Sequence, residues 1–331
     1  MKVNDPIYGN FILEPVLADL IQAQPFQRLK NIHQGGASYL VNPKWNVTRF
    51  EHSVGVMLLI KKLGGSIEEQ IAGLLHDISH TAFSHVIDFV LDNPAQDFHD
   101  QIFEKVIQSS EIPSVLKKHG FNTLSILPIE KWSLLEQPLP SLCADRIDYT
   151  LRDLSTYNMI SLEDACKFVD ELRVVNGKIC LKTTEAAEWF VKAYYEEVID
   201  FFLHPSNVYG YAVLTDILKI ATAKQIIHLD DLLLDDETVW KKLIDSKDHE
   251  VLQKMKDIGK EVINDERAYD IHQKKKVRII DPFVLIGNDR IKKATELSAK
   301  VRELNQYALE KSLKGTFVRI LNTYGKEKKL I

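Results

Sequence analysis

Apolar side chains recur along this chain mostly at three- and four-residue spacing, which predicts a mainly helical protein. Thr48–Arg49–Phe50–Glu51 reads as a capping box, in which hydroxyl and carboxylate satisfy orphan amides at a helix start. That helix should run to about Leu63, where Gly64–Gly65 stop it. Ser66–Ile67–Glu68–Glu69 reads as a second box, opening a helix that buries Ile67, Ile71, Leu74 and Leu75. Further helices are expected from just after Pro140 through Asp153, after a Ser161 cap, and over roughly 185–203 and 208–227.

Two stretches break this rhythm. Arg173–Val174–Val175–Asn176–Gly177–Lys178–Ile179–Cys180–Leu181 sets Asn-Gly between β-branched runs, a hairpin signal. Residues 276–282 and 316–320 read as strands flanking a helix at about 289–312. No internal repeat is visible, which excludes a solenoid. The expected architecture is mainly α, with a β-hairpin insertion and a small α+β C-terminal unit. Its divisions are a body over 1–228, an acidic helical connector over 229–270 and a basic unit over 271–331.

Composition changes this picture little. With 331 residues, 45% hydrophobic and 27% charged, the chain is an ordinary globular protein. Its three cysteines lack any C-x-x-C pair, which argues against a disulfide framework or a cysteine zinc site. The opening MKVNDPIYGNFIL places an acid and a proline where a signal peptide carries its apolar run. No apolar stretch reaches the roughly 18 residues that span a bilayer. A cytoplasmic protein without membrane contact is expected. The net charge of −5 is uneven: residues 271–331 carry 15 basic and 6 acidic side chains, leaving −14 for the rest. The basic segment suits phosphates or a partner subunit, or is a solvated face. The acidic body disfavours broad nucleic-acid binding, although the C-terminal lysines leave room for a local contact.

The histidines carry the chemistry. Six of the eleven fall between His33 and His99. One buried histidine is usually a satisfied core residue, but this spacing weakens that explanation. His52 lies one turn after Arg49 on the same helix face, and His76–Asp77 ends the next helix. His80 follows four residues after His76, with His85 and His99 beyond. A later helix puts Asp145, Tyr149 and Arg152 along one face, flanked by Asp148 and Asp153. Two imidazoles and two carboxylates suit one Mn²⁺, Fe²⁺, Mg²⁺ or Zn²⁺ without selecting among them. Such an ion acidifies water and neutralises phosphoryl oxygens.

His52…His76–Asp77…Asp145 is the H…HD…D pattern, and longer text accompanies it. Pro25–Phe26–Gln27–Arg28–Leu29, Gln34, Arg49–Phe50–Glu51–His52–Ser53, Gly73–Leu74–Leu75–His76–Asp77–Ile78–Ser79–His80, Phe83–Ser84–His85 and Asp145–Arg146–Ile147–Asp148–Tyr149 with Arg152–Asp153 follow in order. The run resembles the HD-domain metal-dependent phosphohydrolases, closely over residues 5–155 and loosely beyond. Within them it resembles the deoxynucleoside triphosphate triphosphohydrolases, dGTPase-like proteins included. The resemblance implies an HD-domain helical fold and one divalent ion on His52, His76, Asp77 and Asp145. It implies Arg49 beside the α-phosphate and His85 as the group that protonates the leaving 5′-oxygen. His80 and His99 match neighbouring catalytic histidines, with Asp100 where the family usually has Glu. Gln34, Tyr149 and Asp153 match contacts to the sugar and its 3′-hydroxyl. Gly35 stands where relatives often carry a bulky Leu that helps exclude ribose. The implied reaction splits a deoxynucleoside triphosphate into deoxynucleoside and triphosphate, in a homo-oligomer, dimer or tetramer.

Plainer readings of some of these residues stay open at this level. Arg49 also reads as a surface partner of Glu51 or Glu68, Tyr149 as a core aromatic, and His99–Asp100 as a polar helix start, each less favoured than its role in the site. His204–Pro205–Ser206–Asn207 matches a family turn at the far end of the pocket or is a plain helix break. Aligned on His204, the family's polyphosphate-holding cations are replaced here by Tyr194, Tyr195, Phe201, Phe202 and Pro205. Lys182, Lys192 or the basic C-terminal segment of a neighbouring subunit are candidate substitutes. Two rival functions follow: an HD phosphohydrolase of nucleoside monophosphates or another small phosphoester, and a non-catalytic nucleotide sensor or nucleic-acid-binding module.

Overall fold

The computed structural model describes residues 1–274, 276–287 and 289–321. The predicted starts and stops govern its central helices. Thr48 accepts from the Glu51 amide while Glu51 reaches back to the Thr48 amide, so the Arg49–Lys62 helix begins with a complete box. It ends in a Schellman turn, with Gly65 N–H donating to the Ile60 carbonyl and Gly64, at φ 82°, donating to Lys61. The second box is only half built. Ser66 caps the Ile67–Leu75 helix, but the Glu69 carboxylate turns away to accept the Leu134 amide at 2.6 Å. That amide is buried and has greater need of an acceptor than an exposed helix end.

The Ala144–Thr156 helix starts a turn later than expected, and residues 185–203 are not one α-helix. Thr184–Tyr195 is α-helical and Glu196–Phe201 widens into π geometry, which sets both Glu197 and Phe201 inside the protein. Pro205–Ala223 follows as a long helix capped by the His204 ring.

The hairpin forms as predicted, Leu172–Val175 against Lys178–Leu181, with Asn176 and Gly177 both left-handed as a type I′ turn requires. It joins a four-stranded sheet with Phe283–Leu285 and Ile291–Lys293, through a parallel pairing of Leu181 with Val284. The strand expected over 276–282 is not one. Its backbone bonds elsewhere: Ile280 N–H to the Tyr195 hydroxyl, Asn305 Nδ2 to the Ile280 carbonyl, and Asp281 N–H to the Pro140 carbonyl. Pairing begins only past Pro282, which has no amide to offer a ladder. The Thr316–Ile320 strand is present, central in an antiparallel sheet between Val262–Asn264 and Ile271–Gln273. The helix before it runs Ala299–Lys314. Lys326, Lys328 and Lys329, part of the expected basic unit, lie outside the described residues, as does Lys275.

Two large apolar clusters, with a small third around Val47, Tyr157 and Phe201, hold the described residues together. One gathers Leu17, Phe26, Met57, Leu74, Ile147, Leu151 and Phe190. The other gathers Phe83, Ile87, Val208, Leu214 and Ile217 with Leu232, Val239, Leu243 and Val251 from the acidic stretch 229–270. Among the described residues no helix is long and apolar enough to cross a membrane.

Candidate active site

A cavity of about 400 Å³ opens between the two clusters, walled by Tyr149, Tyr194 and Phe202 on one side and Tyr211 on the other. Every site residue named above lines it: Gln34, Gly35, Arg49, His52, His76, Asp77, His80, His85, His99, Asp100, Asp145, Tyr149 and Asp153.

At its floor, two imidazoles face two carboxylates. His52 Nε2 lies 3.0 Å from Asp145 Oδ1 and 3.6 Å from Asp77 Oδ2. His76 Nε2 lies 3.5 Å from both Asp77 Oδ1 and Asp145 Oδ1, is buried, and makes no hydrogen bond. The opposite ring nitrogens are engaged, His52 Nδ1 on Asp148 at 2.8 Å and His76 Nδ1 on the Gly73 carbonyl at 2.8 Å. An imidazole that donates from Nδ1 turns a lone pair outward from Nε2, here toward carboxylate oxygens. A cation at their centre, or a second proton on the ring, relieves that arrangement. Six-coordinate bonds of ~2.1 Å put neighbouring ligand atoms ~3 Å apart, comparable with these spacings. The donor set therefore fits the single divalent ion the family implies. The same electrostatics appear in the titration. Burial lowers the His52 pKa, but hydrogen bonds to Asp145 and Asp148 override it and push the value up to about 10.

Asp148 was not among the candidate ligands, and its service to His52 explains its place on the helix. Asp145, Tyr149 and Asp153 line the cavity at four-residue intervals, whereas Arg152 turns to the opposite side. The expectation that Arg152 shares the functional face is corrected here. Its guanidinium binds Asp148 and Asp5, each at 2.9 Å, and orients the carboxylate behind His52. The pair enters only because residue 55 is glycine; a Cβ there would run into both side chains.

Arg49 is buried and bonds Asp77 at 2.6 Å and Ser84 Oγ at 3.0 Å, not Glu51 or Glu68. The same Ser84 hydroxyl donates to the His33 carbonyl at 2.7 Å. Phe83 and Ser84 both sit at positive φ, 61° and 52°, a sharp corner that presents His85. The His80 and His99 rings stack at 4.0 Å, and His85 meets both edge-on. His85 Nδ1 lies 3.2 Å from Asp88, a buried acid that sequence reading missed although it stands one turn after the histidine. Burial lowers the pKa of all three rings, to about 4 for His99, and the Arg49 charge adds to it. His99 Nε2 reaches Asp100 at 3.3 Å, so the shorter acid still meets the ring.

The polar end opposite holds Gln34 Nε2 at 3.4 Å from Asp153. Gln34 Oε1 and Asp153 Oδ1 are buried without hydrogen-bond partners. Behind Asp153 lies Glu197, fully buried on the π turn, and neither pattern nor motif had singled it out. Burial raises both acids, Asp153 to about 7; the Asp148 charge adds to the rise at Asp153, and the Asp153 carboxyl adds to it at Glu197. Gly35 is not an open gap, since a Cβ there would press on Ser38, with Phe201 just beyond. Asn207 lines the cavity and His204 packs edge-on against Trp45, so the 204–207 turn does sit at the pocket. Tyr194, Phe201 and Phe202 form a wall there, while Lys182 and Lys192 do not line the cavity.

Comparison with known proteins agrees with this geometry. The family model described as HD domain matches residues 49–153. The Bacillus subtilis protein YdhJ is 54% identical over 97% of this chain and 99% of its own length. A metal-dependent phosphohydrolase of Cordyceps militaris, cns2, is 31% identical over 85% of this chain and 84% of its own. The human deoxynucleoside triphosphate triphosphohydrolase SAMHD1 is 40% identical, but over only 36% of this chain and 23% of its own length. A phosphohydrolase structure from Bacteroides thetaiotaomicron shares the fold, with TM-score 0.75 at 20% identity over 96% of this chain and 98% of that one.

Proposed function

The chain belongs to the HD-domain metal-dependent phosphohydrolases, and on that premise we propose that it splits deoxynucleoside triphosphates into deoxynucleoside and triphosphate. One observation carries the reading: the His52–His76–Asp77–Asp145 quartet, the His80–His85–His99 cluster and the Gln34–Tyr149–Asp153 group share one cavity. The partial likeness to the human triphosphohydrolase supports the substrate class.

In this reading His52, His76, Asp77 and Asp145 hold a divalent ion, which supplies Lewis acidity to the phosphoryl group and acidifies water. Arg49, fixed by Asp77 and Ser84, stabilises charge developing on phosphoryl oxygens. His85, tied to Asp88 through Nδ1, delivers a proton from Nε2 to the leaving oxygen. Its lowered pKa makes its protonated form a ready donor. His80, His99 and Asp100 fix that ring's setting. Gln34, Tyr149 and Asp153 bind the sugar, the unpartnered Gln34 Oε1 and Asp153 Oδ1 meeting its hydroxyl. Assembly into a dimer or tetramer belongs to the same reading, and light scattering of the purified chain tests it.

A second reading, hydrolysis of nucleoside monophosphates or another small phosphoester, is favoured by the Tyr194, Phe201 and Phe202 wall where polyphosphate cations would stand. Product identity decides. Incubation with dNTPs, NTPs and dNMPs under Mn²⁺, Mg²⁺ or Fe²⁺ should release inorganic triphosphate from dNTPs. Orthophosphate from monophosphates alone would discard the substrate and keep the chemistry.

A further inference from the structure

Counting the cations of the cavity by what they already bind separates two groups. Arg49 is engaged by Asp77 and Ser84. Arg146 gives its donors to the Ser141 and Gln137 carbonyls and to Glu136. Among the described residues the cavity has two further cations, Lys276 and Arg278, both from the stretch expected to be a strand. Among the described residues neither meets a carboxylate within ion-pair distance. The Arg278 guanidinium instead lies 5.7 Å from the centre of the Phe202 ring, on the aromatic wall, and its charge lowers the pKa of His85. It also lowers those of Tyr194 and Tyr211.

The segment that carries Arg278 is fastened just after it. Ile280 is fully buried, its amide and carbonyl held by Tyr195 and Asn305, whose side chains bond each other at 2.7 Å. Asp281 binds the Pro140 carbonyl through its amide and Thr295 through its carboxylate. A half-buried guanidinium two residues before that anchor, over an aromatic face and without a counter-ion among the described residues, is suited to an anionic ligand. The aromatic side chains that replace cations on the neighbouring helix become the platform on which a cation from elsewhere in the same chain rests.

We infer that Arg278, with Lys276 at the rim, binds the phosphoryl groups beyond the one attacked, and so selects substrates with a polyphosphate tail over monophosphates. This rests on the phosphohydrolase reading and decides between its two substrate classes. It also places the substitute cation in the chain's own C-terminal segment rather than on Lys182, Lys192 or a neighbouring subunit.

Calorimetric titration of the full-length protein, as purified, with inorganic tripolyphosphate and separately with orthophosphate tests it without turnover. Wild type should bind tripolyphosphate more tightly. Arg278→Gln should weaken tripolyphosphate about 10–100-fold, as expected for a lost charge-assisted pair, and more than it weakens orthophosphate. Arg278→Lys should recover part of the loss. Thermal melts check the fold, which half-exposed Arg278 does not support through any ion pair. Equal weakening of the two anions, unchanged tripolyphosphate affinity, or no anion binding by wild type would each overturn the inference. Failure of wild type to hydrolyse any phosphoester would instead sink the underlying function, while the binding comparison still reads Arg278 by itself.

Discussion

His52 makes contact with three carboxylates, and each contact has a separate consequence. Asp145 and Asp77 face its Nε2, while Asp148 fixes the ring from behind. Asp145→Ala should abolish metal-dependent turnover yet leave a cooperative thermal melt; full activity would remove Asp145 from the ligand set. Asp148→Asn keeps the shape but weakens the acceptor, and such outer partners typically carry 10–100-fold in metal affinity. Titration of the variant with Mn²⁺ against a competing chelator measures that loss, and an unchanged affinity would reduce Asp148 to packing. The Asp153–Glu197 pair makes a pH prediction. Both folded pKa values exceed their ordinary values of 3.8 and 4.5, so the native state binds more protons than the unfolded chain. Stability therefore falls as pH rises from about 4 through the folded values, by ~1.4 kcal/mol per unit for each proton. Glu197→Gln removes one titrating group, and urea melts between pH 5 and 7 should show a shallower fall. Parallel slopes in the two proteins would contradict the pairing.

At the level of elements, short connections join the Arg49–Lys62 and Ala144–Thr156 helices in placing the chemistry. The Phe83–Ser84 corner is left-handed at two non-glycine residues, a conformation that costs free energy unless its surroundings enforce it. Asp236 is one enforcer. Buried at the start of the Asp236–Asp245 helix, it accepts the Phe83 amide at 2.6 Å, the His33 amide at 3.0 Å and His33 Nδ1 at 2.8 Å. It thereby holds the corner carrying His85 beside the loop carrying Gln34. Asp236→Ala removes a charged acceptor from three donors and should cost ~4 kcal/mol. Urea denaturation measures that cost, and a loss below ~1 kcal/mol would show that the corner is held by other contacts.

For the whole molecule, the cavity exists because two cores meet along a seam, each contributing a wall. An ion that binds only the folded arrangement stabilises the entire chain by mass action, by ~2.7 kcal/mol when its concentration is a hundred times its Kd. Adding Mn²⁺ to chelator-treated protein should raise the melting temperature, and Asp145→Ala should lose most of that rise. An equal rise in both proteins would point to binding elsewhere. The acidic stretch 229–270 contributes at this scale too, burying Val239 and Leu243 in the second core while Asp236 reaches the site.

What the sequence by itself determined was local and periodic. The Thr48 box, the Gly64–Gly65 stop and the Asn176–Gly177 hairpin are each written within a few residues, where backbone geometry leaves few alternatives, and His52, His76, Asp77 and Asp145 are legible as a spaced pattern of residue types. Tertiary structure decided what depends on distance. It turned Glu69 from its cap to the Leu134 amide, sent Arg152 behind His52 by way of Asp148, and brought Asp236 to the loop of Phe83 and Glu197 to Asp153 on a separate helix. It also laid residues 276–282 along Tyr195 and Asn305 instead of pairing them in a sheet. Each outcome has the same cause. A buried donor, acceptor or charge must find its partner wherever packing brings one, and no short-range pattern records which partner that will be.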